Sequence, residues 1–239
     1  MSTSQGASRA RRYGAKEIER LESSIRERFR VAETTLDIAG TMVTLLHPAD
    51  PEELINEKEF EQDERLPYWA DVWPSARVLG AEALRIRGDG RTLLELGCGS
   101  GLVATCAALA GFTVTATDYY EDALRFTTVN TFANANTRIA TRLIDWRSLP
   151  DDLERFDVVL ASDVLYERHY GPLVAQAIAR ALAPDGEALL ADPGRIAMDD
   201  FLTEARRAGL RADTPDRRPF QDGNIRQTIT LYRLRRASA

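Results

Sequence analysis

Between residues 92 and 110 a largely apolar run, TLLEL, meets three glycines at alternate positions, and a second, LVATCAALA, begins at once. The reading is a buried strand, a turn too tight for side chains, and a helix. The start of such a helix offers unpaired N–H groups and the positive end of its dipole. The loop Gly97-Cys98-Gly99-Ser100-Gly101 can therefore hold a pyrophosphate, or the carboxylate end of another adenosyl cofactor. Spacing bears on the choice. The dinucleotide pattern G-x-G-x-x-G would need a glycine where Leu102 stands. A glycine-rich turn with no ligand is the alternative.

The chain after this loop alternates. FTVTATD, TRIATRLID, FDVVLASD and GEALLADP read as strands, with helical segments EDALRFTTVNTFAN, YGPLVAQAIARALAP and MDDFLTEARRAGL between or after them. TITLYRLR closes the series as a last strand. Continuous apolar strands alternating with helices imply a mostly parallel sheet covered on both faces. The expected fold is α/β, a Rossmann-like doubly wound sheet of seven strands.

Upstream the texture differs. Residues 1–12 are small and polar, and expected to be disordered. Ile18, Leu21, Ile25 and Phe29 fall at helical spacing across 15–30 and leave an apolar stripe that must dock. TTLDIAGTMVTLLHP has two strand-like runs around Ala39-Gly40 and reads as a hairpin. Residues 52–65 are strongly acidic and expected to be exposed. LPYWADVWPSARVLGAEALRI opens with aromatics and becomes a helix from about 75 to 86. Residues 1–65 are taken as an N-terminal extension packed on a ligand-binding domain at 66–239.

Several side chains fall where such sheets bind ligands, at the carboxyl ends of strands. Asp118 ends the second strand of the alternating series, where a carboxylate can accept ribose hydroxyls; it can equally cap the next helix. Asp145 and Trp146 end the third, suited to an adenine amino group and a purine face, or in the case of Trp146 to core packing. Asp163 and Tyr166 follow the fourth and can face one pocket, or cap a helix and fill the core. His47 and His169, the only histidines, read as surface residues, and no metal-ligand spacing is present.

The formal net charge is −6, which disfavours a nucleic-acid partner. The arginines of the last 35 residues read as genomic bias toward Ala and Arg, with a basic patch for an acidic partner as the alternative. No run approaches the roughly 18 apolar residues of a membrane span. Cys98 and Cys106 form no CxxC pair, which fits a reducing cytoplasm.

With these residues in place the chain resembles the seven-β-strand methyltransferases. More narrowly it resembles methyltransferase family 16, which contains many protein-lysine methyltransferases. The resemblance lies in LPYWADVWPSA, ELGCGSG, IDW, ASDVLYE and ADPGR, the last most like bacterial members related to the lysine methyltransferases of electron-transfer flavoprotein β subunit. It implies S-adenosylmethionine as cofactor. Trp73 would lie against it. Gly97, Gly99 and Gly101, with Cys98 between them and Glu95 nearby, would surround its methionine part. Asp118 would take the ribose, Asp145 and Trp146 would flank adenine, and the backbone at Ala161 would close that pocket. Asp163 and Tyr166, the D-x-x-Y pair, would line the acceptor channel, with Tyr68 and Trp69 as further walls. The run PSARVLG after Trp73 departs from the small residues of the flavoprotein-directed enzymes.

Methyl transfer from a sulfonium needs the amine neutral, which costs lysine about 4–5 kcal/mol at pH 7. A free carboxylate beside it would raise that cost. Asp163 is therefore expected to orient the amine or the cofactor rather than act as a simple base. The prolines of the [D/N/S]-P-P-[Y/F/W] turn common in nucleic-acid amino methyltransferases are absent here, which disfavours flipped-base chemistry. The expected activity is methylation of a protein lysine, by a chain more often monomeric than not. A small-amine methyltransferase, a cofactor-binding protein without activity and an NAD-dependent oxidoreductase are the alternatives.

Overall fold

A computed structural model describes residues 14–54 and 67–237. Strands β3 (Thr92–Leu96), β4 (Thr113–Asp118), β5 (Ala140–Leu143), β6 (Phe156–Ser162) and β7 (Leu182–Asp192) run parallel, and β10 (Ile225–Arg236) runs antiparallel to β7. The path across the sheet is β5-β4-β3-β6-β7-β10-β8, with β8 (Leu210–Ala212) at the far edge. The path holds the expected number of seven strands, six of them at the runs read in the sequence and the seventh supplied by β8. An eighth, β9 (Asp216–Asp222), pairs with the outer half of β10. The order reverses direction beside β3, so a crevice opens there at the carboxyl ends of the strands.

Helices α2 (Pro74–Arg85), α3 (Leu102–Leu109) and α4 (Glu121–Ala135) cover parts of the sheet on one side, and α5 (Tyr170–Ala181) and α6 (Met198–Arg207) cover the other. Their apolar sides meet the two faces of β3 and β6: Leu93, Val158 and Leu160 belong to one core, Leu94, Leu96 and Val159 to the other. That two-sided burial explains why these strands read as unbroken apolar runs.

The N-terminal elements dock on α4. In helix α1 (Ala15–Arg28), Ile18 and Ile25 are buried with Phe126 and Val129, and the Phe29 ring meets Phe126 edge-on at 5.5 Å. Strands β1 (Val31–Ile38) and β2 (Thr41–Pro48) form the expected hairpin, with Ala39 at φ 53° and Gly40 at φ 86°. Positive φ at both central residues is the turn that suits strand twist. The expectations for residues 1–12, and for the acidic stretch beyond residue 54, lie outside the described residues.

The short β8 and the β9–β10 hairpin were not expected. Arg217, Arg218 and Pro219 in β9 do not alternate with apolar residues, so no period-2 signal marks the strand. Its geometry comes instead from the Gly223 turn and from ion pairs. Glu82 of α2 meets Arg218 at 3.0 Å and Arg233 at 3.4 Å; Arg235 meets Asp213 at 2.7 Å, and Arg77 pairs with Asp222. Much of the arginine-rich tail is thus structural, tying the last strands to α2.

Candidate functional site: a cofactor cleft beside an aromatic channel

The carboxyl ends of β3, β4 and β6, with the segment after β5, converge on one cleft, together with residues 68–76. Gly97, Gly99 and Gly101 all have positive φ, at 70°, 53° and 89°. A Cβ on Gly97 would lie 3.0 Å from Val164 Cγ1 and 3.5 Å from Trp146; on Gly99 it would lie 3.0 Å from the Trp69 carbonyl oxygen. The first two glycines line the cleft. Gly101 does not. Its missing Cβ would fall 2.7 Å from Thr127 Cα, so it serves the close approach of α3 and α4.

Asp118, at the tip of β4, is buried. Its Oδ2 accepts the Gly99 amide at 2.9 Å and its Oδ1 the Tyr120 amide at 3.0 Å. Burial raises its carboxyl to about 6, against the backbone amides that lower it. The Tyr119 amide acts on it as well, and a carboxylate with about four acceptor sites still has room for a ligand hydroxyl. Glu95 is also buried in the cleft wall. Burial, and then the nearby Asp118, hold its carboxyl well above the usual range, although the Ala104 amide opposes them. Its Oε2 has no partner. Cys98 sits between the two acids, and burial pushes its thiol up, so it stays protonated.

Asp145 and Trp146 both line the cleft. Asp145 forms a fork with Arg147, whose Nε and Nη2 lie 3.0 and 2.8 Å from Oδ2. Trp146 stands edge-on to Tyr170 at 5.7 Å, and its indole nitrogen is buried without a partner. Ala161 is fully buried in the sheet; its neighbour Ser162 lines the cleft.

Trp73 immediately precedes α2, whose first residue is Pro74. Proline at that position fixes the helix entry. The Trp73 indole N–H donates to the Tyr68 carbonyl at 2.9 Å, and the ring carries the Arg195 guanidinium at 5.4 Å. Tyr68, Tyr166 and Tyr170 continue the wall, with centroids 5.1 and 4.8 Å apart in sequence. Burial and the neighbouring Tyr170 push the Tyr166 phenol above its ordinary range, so it stays protonated. Trp69 is buried nearer the hairpin and stacks on Phe126.

Asp163 follows β6 with φ 57°, a conformation uncommon for a residue with a side chain. Three bonds hold it. Its amide donates to the Ala191 carbonyl at 3.0 Å, Ser75 Oγ donates to Oδ2 at 3.0 Å, and Arg195 Nε donates to Oδ1 at 2.6 Å. Arg195 is itself aimed by Asp192, whose Oδ1 accepts the amides of Gly194 and Arg195 at 2.7 Å each. Ser75 and the role of Arg195 were missed in the sequence. The ADPGR run was the visible signal for Arg195; Ser75 had none.

His169 stacks on Tyr170 and is more than half exposed beside Glu167. His47 uses both ring nitrogens, on Thr34 Oγ1 and the Pro48 carbonyl. Neither lines the cleft.

The donor set fits a cationic adenosyl cofactor. Five acidic residues, Asp71, Glu95, Asp118, Asp145 and Asp163, line the cleft, and Glu95 Oε2 is buried without a partner, so a sulfonium and an ammonium would meet compensating charge. The glycine cradle lets backbone approach where a Cβ would collide.

Comparisons with known proteins agree. The family model for lysine methyltransferases, methyltransferase family 16, matches residues 57–207. Protein N-lysine methyltransferase METTL21A of Danio rerio is 33% identical over 151 residues, covering 59% of this chain and 69% of the relative. The electron transfer flavoprotein beta subunit lysine methyltransferase of the same fish is 28% identical over 138 residues, covering 56% and 53%. Both are eukaryotic proteins and lend nothing to the expected kinship with bacterial members. The N-methyltransferase NodS of Bradyrhizobium japonicum, solved with S-adenosyl-L-homocysteine, superposes with a TM-score of 0.56 over 78% of this chain and 96% of its own, at 17% identity, which shows a shared fold. The match across residues 57–207, set on this cleft, places the chain in the lysine methyltransferase family, as an enzyme whose cofactor is S-adenosylmethionine.

Proposed function

We propose that the chain methylates the side-chain amine of lysine in a protein substrate. When bound, S-adenosylmethionine supplies an electrophilic methyl on a cationic sulfur. Gly97, Gly99 and Glu95 hold its methionine end, Asp118 its ribose, and Asp145 and Trp146 its adenine. Trp73 closes the near side. Tyr68 and Tyr166 line the path of the acceptor, whose ammonium and methylammonium forms suit aromatic faces.

The single observation that carries this reading is the state of Asp163. Both of its oxygens are engaged, by Arg195 and Ser75. It adds no net negative charge beside the methyl, so it does not hold the amine in its protonated form. Alignment of amine, methyl and sulfur then accounts for much of the rate. Gly101 and Ala161 shape the cleft from behind and touch no ligand in this scheme. The free, buried Cys98 and Cys106 fit a reducing compartment such as the cytoplasm, and among the described residues no helix is long and apolar enough to cross a membrane.

The test is incubation with tritiated S-adenosylmethionine and a cell lysate, resolved by gel. A discrete labelled protein band is expected, absent without the enzyme. Label confined to small molecules would transfer the assignment to a metabolite amine.

A further inference from the structure

The cleft has a neighbouring cavity. A groove of about 530 Å³ runs beside it, bordered by Pro193–Arg195 and by Ile225 and Gln227 of β10. Three residues, Asp71, Trp73 and Asp163, line both cavities. Two of these have their polar atoms engaged: Trp73 on the Tyr68 carbonyl, Asp163 on Arg195 and Ser75.

Asp71 differs. Its carboxylate is exposed and takes no hydrogen bond or ion pair among the described residues. Its amide closes the short helical turn Tyr68–Ala70 by donating to the Tyr68 carbonyl, but its side chain caps neither that turn nor α2. Partial burial raises its carboxyl and the neighbouring His47, whose ring nitrogens are already engaged, opposes that rise. The Asp71 side chain is thus an unpaired carboxylate that lines both the groove and the cleft, whose lining includes Tyr68 and Trp73. It is suited to a cation of side-chain size.

We infer that Asp71 receives the ammonium of the acceptor lysine at the junction of groove and cleft, while the flanking polypeptide lies in the groove. This rests on the reading of the chain as a protein-lysine methyltransferase. It divides two tasks that conflict at one site. A carboxylate attracts the ammonium but opposes its deprotonation. Here the attracting carboxylate stands at the mouth, and the one deeper in, Asp163, is neutralised by Arg195.

The probe is n-butylammonium, a lysine side chain without its backbone, titrated into the full chain saturated with S-adenosylhomocysteine and followed by tryptophan fluorescence. Asp71→Asn is expected to weaken n-butylammonium about fivefold, while n-butanol binds both proteins alike. Asp71→Glu should restore most of the difference, and added salt should shrink it in the unaltered protein. Equal n-butylammonium affinity in the unaltered protein and Asp71→Asn, or no salt effect in the unaltered protein, would overturn the inference. The parent reading fails separately. Ammonium binding that depends on Asp71, with no protein labelled in a lysate, leaves the cation site standing and removes the protein substrate. A labelled protein, with no dependence on Asp71, removes the cation site alone.

Discussion

Arg195 donates its Nε to Asp163 at 2.6 Å, with the Asp163 side chain only 4% exposed, and so the acid of the D-x-x-Y signature enters the cleft already paired. Removing the guanidinium leaves a buried carboxylate whose nearest available cation is the acceptor amine. An opposite charge at that range raises an amine's pKa by about one unit or more. Arg195→Ala should therefore lower kcat at pH 7 about tenfold and move the pH–rate profile to higher pH. Arg195→Lys should recover part of both. A lowered kcat with an unmoved profile would mean that Arg195 only supports the turn.

Asp118 makes cofactor binding depend on pH. Its carboxyl titrates at about 6, raised from its ordinary value by burial. Above that pH the ionised form accepts ribose hydroxyls; below it the proton occupies an acceptor site. S-adenosylhomocysteine affinity should fall up to tenfold per unit as pH drops below about 6. The same shift has the opposite sign for the ligand-free fold, because a raised acid favours the protonated state: this group's contribution to stability is present below its unfolded value and is lost as pH rises through about 6. Calorimetric titration of the unaltered protein and Asp118→Asn checks this. The variant should bind weakly, with a flat profile over the same range.

Gly97 and Gly101 should fail in different ways. Gly97→Ala places a methyl 3.0 Å from Val164 Cγ1 inside the cleft and should abolish cofactor binding, with a loss of stability of about 1–3 kcal/mol from its positive φ. Gly101→Ala drives a methyl into the α4 backbone at 2.7 Å. It should cost more, about 3 kcal/mol or above, because strain and overpacking add. Denaturant unfolding, with and without S-adenosylhomocysteine, separates the two: ligand should rescue Gly101→Ala and not Gly97→Ala.

Asn130 links regions far apart in the chain. Its Oδ1 accepts the Leu46 amide, and its Nδ2 donates to the carbonyls of Leu46 and of Ser100 in the glycine loop, each at 2.8 Å. Asn130→Ala leaves these buried backbone groups unpaired and should cost about 2–4 kcal/mol. Asn130→Asp keeps the acceptor but cannot donate to the two carbonyls, and should also weaken cofactor binding through the loosened loop. Unchanged stability in the alanine variant would show that water replaces the side chain.

Such bonds mark where the sequence is opaque. The strands β3, β6 and β7 are legible because each contributes to the cores on both faces and so carries a largely apolar run. The glycine loop and the acids after the strands are legible because the turn and strand-end positions each restrict residue type. Helix α4 hides its role: its inward face holds Thr127, Thr131 and Asn130, which bond to the loop, to α3 and to the hairpin. A polar inward face carries no amphipathic signal. β9 is obscure for a similar reason, since ion pairs and a turn set it rather than alternation. Asp163 was legible as a site residue, but its pairing with Ser75 and Arg195 joins positions 88 and 32 residues distant, and no local pattern records that.

The central claim is that the methyl reaches a lysine nitrogen in a protein. The most direct measurement is mass spectrometry of the protein labelled in a lysate, after digestion, with a deuterated methyl donor. The account predicts deuteromethyl groups on the side-chain nitrogen of one lysine or a small set of lysines, incorporated about tenfold more slowly with Arg195→Ala at neutral pH and lost with Gly97→Ala at any pH. Deuteromethyl on another residue type, or on no protein at all, would contradict it.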